Sequence, residues 1–326
     1  FRTLLRFAAV FVLGLAYYGV IFRPEVSIHN TSEVLELVNA GSWRGHFAHK
    51  NIAGPAMIVL MLYFLYLADS SEMTLAKIFH WGLALLSLHF LYYTNNKTSI
   101  ALVAVMFLLS ALIQRTKLLG AQMVIALAPA LLMAFLTVGL VLFLPVGRMA
   151  EALLPDPTFT NRTEIWRFAL ARLGERPFLG YGFEAFWATS DLRSSYQETW
   201  AAAAGHAHNG FLNLAMTTGI IGMLLTVWWL VLNPLRDFNR SQKSANDPDL
   251  ALLYLRIWLF MLLYAHLESP FFVGRGNVWF SLLGAVLGLR LHARLKQTSD
   301  LQTSKTPAQS YRLQLAGSCA EPTAAS

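Results

Sequence analysis

The sequence has little cysteine and little charge. Among its 326 residues there is one cysteine, Cys319, in a polar C-terminal stretch. The chain therefore cannot form an intrachain disulfide or a metal site built from cysteines. Charged residues make up only 13% of the chain, about half the share found in soluble globular proteins. This shortage excludes a soluble enzyme, because a fold of this size could not hide the remaining apolar surface in one core.

The sequence is rich in long apolar segments. Hydrophobic residues make up 56% of the chain, with 22 Phe, 11 Tyr and 9 Trp, and a bilayer crossing needs about 20 mostly apolar residues. The sequence predicts an all-α, polytopic integral membrane protein with about eight transmembrane helices, near residues 4–22, 52–68, 79–94, 99–114, 121–144, 211–232, 250–267 and 277–292.

The net charge of +7 reflects membrane topology rather than nucleic-acid binding, because the basic residues are scattered at the ends of the spans. Most of the flanking Lys and Arg fall on one side, which is therefore predicted to be cytoplasmic. The chain divides into transmembrane helices 1–5 (1–144), a large periplasmic loop (145–210), transmembrane helices 6–8 (211–296) and a disordered cytoplasmic tail (297–326).

The predicted periplasmic loop has local order of its own. Thr163 to Leu173 is typical of an amphipathic helix, with Asn161 or Thr163 as N-cap and Gly174 and Pro177 after its end. Its predicted apolar face consists of Ile165, Phe168, Ala169 and Leu173. The following segment, 177–187, combines two glycines with several aromatic residues, Tyr181 among them, which favours a turn lying at the membrane interface.

The basic residues of this loop are all arginines, a choice that suits bidentate recognition of phosphate. They could equally anchor the loop to lipid headgroups or pair with its acidic residues. Arg162 is singled out because it stands at the start of the predicted helix, where the macrodipole disfavours a cation unless an anion is also present. Free backbone N–H groups beside a guanidinium indicate a binding site for pyrophosphate.

Histidines cluster on the same predicted face of the membrane. His206 and His208 end the loop, and an interfacial histidine can take a proton from an attacking hydroxyl or serve only for hydrogen bonding. His46 and His49 lie in an outer segment that also contains Arg44 and Lys50, so a four-histidine metal site is conceivable. Lone cations, Lys97 and Arg275, occupy two other short outer loops.

In their order along the chain, these segments resemble the O-antigen ligase and polymerase superfamily of bacterial envelope glycosyltransferases, and look most like its exopolysaccharide-polymerase branch. The resemblance covers most of the chain and rests on the order of five motifs more than on any one of them. The motifs are Arg44-Gly-His-Phe-Ala-His-Lys-Asn51, Asn96-Lys-Thr-Ser99, Asn161-Arg-Thr-Glu-Ile-Trp166, Arg176-Pro-Phe-Leu-Gly-Tyr-Gly182 and His206-Ala-His-Asn-Gly-Phe-Leu212, followed by Thr218-Gly-Ile-Ile-Gly222.

The resemblance implies a multi-pass protein of the bacterial cytoplasmic (inner) membrane, with its active site facing the periplasm. It also implies a metal-independent reaction without cofactor, in which a glycan on undecaprenyl diphosphate is transferred to a hydroxyl of a glycan or lipid acceptor. Further spans upstream of Phe1 and contacts with other polysaccharide assembly proteins are expected, and nucleic acid is not expected as a partner.

The resemblance also assigns roles to residues of this chain. Lys97 and Arg162 would bind the diphosphate, with Arg275 as a further cation, and His208 would act on the acceptor beside Arg162 in the catalytic site. Where many relatives carry Ser-Arg-Gly, this chain has Asn96-Lys97-Thr98. Further candidates for contacts with acceptor or substrate are Arg44, His49, Lys50, His206, Asn209 and Tyr181.

Three kinds of function remain open at this point. A glycosyltransferase could be a polymerase or an O-antigen ligase that attaches glycan to lipid A-core. A polysaccharide or lipid transporter would also have many spans, but it should place ionisable groups near the bilayer midplane, where this chain has only His89 and Arg256. A metal-dependent membrane hydrolase could be built on the four outer histidines.

Overall fold

The computed structural model describes residues 2–31, 39–143, 145, 147–148, 152, 159, 161–187, 189, 201, 204–242, 247–273 and 276–294. These residues form helices, turns and connecting segments without a strand, and one isolated antiparallel bridge joins Ile28 and Trp43. The all-α prediction is confirmed. The predicted tail at 297–326 lies outside the described residues, as does much of the predicted loop at 145–210.

The helices are numbered here in chain order. They are α1 Arg2–Phe22, α2 Pro24–Ser27, α3 Lys50–Asp69, α4 Thr74–Tyr93, α5 Lys97–Arg115, α6 Leu119–Leu142, α7 Arg162–Leu173, α8 Gly210–Val227, α9 Asn233–Gln242, α10 Pro248–Tyr264 and α11 over 277–294. A π-helical turn, Trp228–Leu232, joins α8 to α9, so that one helical stretch continues past the predicted end at 232.

Six helical stretches of the described residues are long and apolar enough to cross a membrane: α1, α3, α4, α5, α6 and the combined stretch Gly210–Gln242. The two remaining predicted spans correspond to α10, which has 17 residues, and to α11. The chain is a multi-pass membrane protein, whereas the number of crossings and the orientation stay predictions.

Helix α10 lies at the centre of the bundle and contacts α3, α5, α6 and α9. Most of its side chains are buried, as expected for a helix that is apolar all round. By contrast, α1 and α4 keep large apolar side chains such as Phe7, Phe11, Ile78 and Leu85 exposed on their outer faces. In a membrane protein such faces suit contact with lipid, because lipid chains are as apolar as the side chains themselves.

Helix α8 is broken at Gly219, where the backbone has φ +70° and ψ 179°. The break receives the turn 177–182: the N–H groups of Tyr181 and Gly182 donate to the carbonyls of Met216 and Thr217 at 2.8 and 2.9 Å. A Cβ on Gly180 would lie 2.6 Å from the Met216 carbonyl oxygen, so the contact is backbone against backbone. The tip of the turn leaves Phe178, Leu179 and Phe183 exposed, and its place at a membrane interface stays a prediction.

Candidate active site

One end of the bundle gathers the start of α3, the start of α5, the end of α10 and the segment that leads into α8. A Cβ on Gly54 of α3 would lie 3.0 Å from both the Asn96 amide nitrogen and the Ser99 hydroxyl oxygen, so α3 and α5 nearly touch here. The backbone N–H of Gly210 donates to the Ala265 carbonyl at 2.6 Å. This end carries the candidate site.

Helix α7 confirms the helix predicted in the outer loop and places Arg162 at its first position. Asn161 is its N-cap residue, with a left-handed φ of 66° and no side-chain cap hydrogen bond, and Gly174 is its C-cap. Ile165 and Ala169 are buried as predicted, and so is Trp166, which the predicted face omitted. The Trp166 indole N–H donates to the Ala207 carbonyl at 3.0 Å and thereby fastens α7 to the His206–His208 segment.

His208 is held in an unusual backbone conformation, with φ +48°, a region that side-chain-bearing residues rarely adopt and that is concentrated at functional sites. The next residue, Asn209, is buried and caps α8: its Oδ1 accepts the Leu212 N–H at 3.0 Å. Its Nδ2 donates to the His266 carbonyl at 3.0 Å. Asn209, predicted as a possible substrate contact, thus holds the backbone that carries His208.

Glu268 is the centre of the polar cluster, although nothing in the sequence singles it out. It follows α10 and is 7% exposed. Its Oε1 accepts from Arg162 Nη2 at 2.6 Å and from Asn51 Nδ2 at 2.9 Å, and its Oε2 lies 3.1 Å from His208 Nδ1. Arg162 also donates through Nη1 to the Leu267 carbonyl. Glu268 is therefore the anion that offsets the unfavourable position of the Arg162 cation at the start of α7.

The charge on Glu268 determines the tautomer of a neutral His208 ring. Burial raises the pKa of the Glu268 carboxyl, but the Arg162 guanidinium and the hydrogen bond with His208 outweigh burial and hold the pKa at about 2. An ionised carboxylate can only accept hydrogen bonds, so His208 Nδ1 must carry the proton that it donates. The lone pair of a neutral His208 ring is therefore on Nε2, where a general base needs it.

His206 has the opposite arrangement. Its Nδ1 accepts the backbone N–H of His208 at 3.2 Å, and the two imidazole rings lie 4.0 Å apart between centroids. Burial, together with the neighbouring His208, lowers the pKa of His206 to about 4. The His206 ring is therefore neutral near pH 7 and protonated on Nε2, so it can donate a hydrogen bond to a ligand but cannot accept one there.

Asn51 connects this cluster to two helices. Its Oδ1 accepts a hydrogen bond from Asn96 Nδ2 at 3.4 Å, and its backbone carbonyl accepts one from the Tyr264 hydroxyl at 2.6 Å. Its backbone N–H donates to His49 Nδ1 at 3.0 Å. Asn51, which donates to Glu268, is thus bonded to the start of α5, the end of α10 and the residue before α3. Sequence reasoning placed Asn51 inside a motif but gave it no role.

Two of the predicted basic residues, His49 and Lys50, lie beside this cluster. His49 caps α3 and lines the cavity described below, Lys50 begins α3, and Arg44 Nε donates to the Val26 carbonyl at 3.0 Å. Lys97 is the first residue of α5 and is exposed. Arg275 lies outside the described residues.

Tyr181 lies in a different part of the structure from the cavity lining. Its hydroxyl contacts the Arg172 carbonyl at 2.8 Å and Glu175 Oε2 at 2.9 Å, and the Arg176 guanidinium lies 5.1 Å from its ring centroid. Burial, followed by the hydrogen bond with Glu175, raises the pKa of Tyr181 to about 12. These contacts stabilise the turn 177–182, and a role in substrate contact stays a prediction.

A cavity of about 650 Å³ opens beside the cluster. Its polar lining residues include His49, Asn51, His206, His208, Tyr264, Glu268, Ser269 and Asn277, and its apolar lining residues include Ile52, Pro270, Val273, Val278 and Trp279. Arg162, Lys97 and Tyr181 are not among the lining residues. The geometry thus brings His208 to the cavity and places Arg162 behind Glu268.

Three of these residues could also hold a metal ion. Potential ligand atoms of His206, His208 and Glu268 lie within 4.8 Å of one another, and two histidines with one glutamate form a known set of zinc ligands. His49 lines the same cavity, whereas the His46 ring packs on Phe47 at 4.1 Å. The Arg162 guanidinium on Glu268 disfavours a second cation, because it already neutralises the carboxylate.

Residues 82–227 match the family described as O-antigen ligase. The resemblance seen in the sequence is thereby confirmed. Over 133 residues the chain is 26% identical to the exopolysaccharide production protein ExoQ of Rhizobium meliloti, an alignment that covers 39% of this chain and 31% of that protein. Over 93 residues it is 30% identical to a protein named as a polysaccharide ligase in Rickettsia felis, covering 27% of this chain and 23% of that protein.

The alignments thus span less than a third of the length of these relatives. The family match includes Lys97, Arg162, His206 and His208, and it excludes Asn51 and Glu268. The polar cluster is therefore assembled from residues inside and outside the matched region. The match and the relatives thus show similarity to proteins named for polysaccharide ligation and exopolysaccharide production.

Substitution of Arg162 by lysine should reduce the glycan transfer that the sequence resemblance implies more than tenfold although the charge is kept, because one ammonium cannot reproduce the two-pronged contact with Leu267 and Glu268. The measurement is the transfer rate in membrane vesicles at matched expression. Arg167→Lys, at an exposed position of the same helix, is the control and should leave the rate unchanged. A loss of less than about twofold, or roughly 0.5 kcal/mol, would remove Arg162 from the site.

Proposed function

We propose that this chain is a membrane glycosyltransferase that moves a glycan from undecaprenyl diphosphate to an acceptor hydroxyl on the periplasmic face of the inner membrane, in exopolysaccharide or O-antigen biosynthesis. A polymerase is favoured over a ligase. The observation that carries the proposal is the His208–Glu268 pair, which lines a cavity in a chain that matches the O-antigen ligase family.

In the proposed step, the acceptor hydroxyl gives its proton to His208 Nε2 while its oxygen forms a bond to the anomeric carbon of the donor glycan. The bond between that carbon and the diphosphate oxygen breaks, and its electron pair leaves with undecaprenyl diphosphate. Glu268 keeps His208 in the tautomer that can accept the proton and stabilises the imidazolium that results. Lys97 and Arg275 are the proposed partners of the diphosphate charge. Arg162 is proposed to contribute only through the guanidinium N–H groups that do not contact Leu267 or Glu268.

The lipid-linked glycans of a strain that lacks the gene provide the test. Loss of long chains, with single repeat units accumulating on the carrier lipid, is expected for a polymerase. Long chains that remain on the carrier lipid would indicate a ligase, the activity that the name of the Rickettsia felis relative suggests. Loss of long chains together with lipid-linked glycan retained on the cytoplasmic side would indicate a transporter and contradict the proposal.

Treatment with EDTA should leave transfer intact, because cationic side chains rather than a divalent ion are proposed to meet the diphosphate charge. The measurement is the transfer rate of purified protein before and after chelation, together with its metal content. Loss of activity that one added metal restores would favour a hydrolase-like metal site at His206, His208 and Glu268 instead.

A further inference from the structure

The Glu268 carboxylate divides its two oxygens between different partners. Oε1 accepts from Arg162 Nη2 at 2.6 Å and from Asn51 Nδ2 at 2.9 Å, whereas Oε2 lies 3.1 Å from His208 Nδ1. An arginine often binds a carboxylate through two parallel N–H···O bonds, one to each oxygen. Here Nη1 of Arg162 donates to the Leu267 carbonyl instead. Oε2 is therefore left to the histidine.

Asn51 is the second donor that holds Oε1. A single hydrogen bond from Arg162 would fix the position of this oxygen but not the plane of the carboxylate. The second donor comes from another helix, because Asn51 lies in α3 and Arg162 begins α7. Together the two donors set the plane of the Glu268 carboxylate, and with it the direction in which Oε2 points.

The side-chain amides of Asn51 and Asn96 form a hydrogen-bonded chain with one direction. The backbone N–H of Ser99 can only donate, and it donates to Asn96 Oδ1 at 2.9 Å. Nδ2 of Asn96 therefore faces Asn51 Oδ1, at 3.4 Å, which leaves Asn51 Nδ2 to donate to Glu268. Because an ionised carboxylate can only accept, the orientation of both amides follows from both ends of the chain.

Asn96 brings the start of α5 into this chain. It is buried and caps α5, whose first residue is Lys97. Asn51 is the second residue of α3, and its backbone carbonyl is bonded to the Tyr264 hydroxyl of α10. Two amide side chains thus join the helix that carries Lys97 to the carboxylate that contacts His208.

We propose that Asn51 is a positioning residue for glycosyl transfer, supported by Asn96, and that it holds Glu268 Oε1 so that Oε2 stays on His208 Nδ1. Both asparagines act through Glu268 and take no part in moving the proton. Asn51 and Asn96 thereby keep the proton-accepting lone pair of His208 on Nε2. The proposal rests on the proposed glycosyl transfer and adds to it two residues that orient its base.

The tautomer of His208 is the first measurement, because it needs no glycan substrate. Protein labelled with ¹⁵N-histidine in lipid nanodiscs reports through its chemical shifts which ring nitrogen carries the proton, and His208→Ala identifies the signal. At a pH where the ring is neutral, the wild type should be protonated on Nδ1 alone. Asn51→Leu, which has a similar size but no amide, should show a mixture of both tautomers.

Turnover is the second measurement. Asn51→Leu should lower kcat by about ten- to a hundredfold, the effect of losing one hydrogen bond to a charged group. The KM values for donor and acceptor should change less than about twofold, because Asn51 acts through Glu268. Asn96→Ser keeps a side-chain oxygen for the α5 cap but loses the amide donor, so a smaller loss of about threefold is expected.

Asn51→Asp separates positioning from a general structural role. When it is ionised, the new carboxyl group cannot donate to Glu268 and repels it, whereas its protonated form can donate to Oε1 as the amide does. The ratio of the variant's kcat to that of the wild type should therefore rise as the pH falls. The other titratable groups bonded to Asn51 are His49 and Tyr264, which this variant leaves unchanged.

Asn239→Asp is the matched control. Asn239 is partly buried, like Asn51, and its Nδ2 donates to Gln122 Oε1 at 2.9 Å, between α9 and α6 and away from the cavity. The same chemical change at this position should alter neither the His208 tautomer nor the pH dependence of kcat. Thermal unfolding is followed for each variant, so that every rate refers to folded protein.

The proposal is wrong if Asn51→Leu leaves the His208 tautomer as it is in the wild type, or if Asn51→Asp has the same pH dependence as Asn239→Asp. A rise in KM without a fall in kcat would make Asn51 a substrate contact instead. If Asn51→Leu does not fold, Asn51→Asp and Asn96→Ser provide the same test. Failure of the proposed function would appear separately, as a tautomer that responds to Asn51 in a protein whose deletion leaves the glycan ladder unchanged.

Discussion

Replacement of His208 by alanine should lower turnover by about 10²–10⁴-fold, the usual contribution of a general base, while donor binding changes little. His208 is the histidine whose Nδ1 is held by an ionised carboxylate, which leaves Nε2 free to accept the acceptor proton. His206 is neutral and carries its proton on Nε2, so it can only donate a hydrogen bond there. His206→Ala should therefore be the milder variant.

Both single variants belong in one reconstituted assay at matched expression, with donor binding measured separately. The roles would be reversed if His206→Ala were the more severe. They would also need revision if His208→Ala abolished donor binding as well as turnover, because the ring would then belong to the donor site rather than to the acceptor base.

Glu268→Gln should be nearly as damaging as His208→Ala, although it changes a single atom. Two N–H donors, from Arg162 and Asn51, point at Oε1, so the amide oxygen of the new side chain must take that position. Its NH₂ group then faces His208 Nδ1, which can accept that hydrogen bond only by moving its proton to Nε2. The base is lost in this tautomer, and a loss of about 10²–10⁴-fold in turnover is expected.

The comparison that isolates this effect is Glu268→Asp, which keeps the charge and the acceptor-only character and should retain more activity than the glutamine variant. Breaking a buried ion pair can also cost about 3–5 kcal/mol of stability. Thermal unfolding of each variant is therefore measured beside turnover. Turnover of Glu268→Gln within about twofold of wild type would show that the carboxylate does not set the state of His208.

The parts of the site that follow from local sequence were predictable. The helix at 162–173, its N-cap position and the glycine at its end all depend on neighbouring residues, and the structure has them as expected. The predicted face omits Trp166, whose complete burial depends on a partner for its indole N–H that lies 41 residues away in the chain. The start of α8 at Gly210 is likewise set locally, by the Asn209 cap.

Glu268 could not be found in this way. In the sequence it is one carboxylate after an apolar span, and nothing nearby in the chain distinguishes it from a solvated end residue. Its role depends on contacts with Arg162, 106 residues away, with Asn51, 217 residues away, and with His208, 60 residues away. Arg162 at a helix start did predict a nearby anion, but the sequence alone does not identify Glu268 as that anion.

The contact between the turn 177–182 and α8 determines where loops can be exchanged between related proteins. A Cβ on Gly219 would collide with the Phe178 carbonyl, and no change of rotamer could relieve a clash with backbone atoms. Gly180 and Gly219 must therefore be transplanted together, in one block from Pro177 to Gly182 with the part of α8 that receives it. A chimera with a junction between Gly182 and Gly219 would lose the register of the turn on the helix, whereas junctions before Pro177 and after Ile220 keep both partners from the same protein.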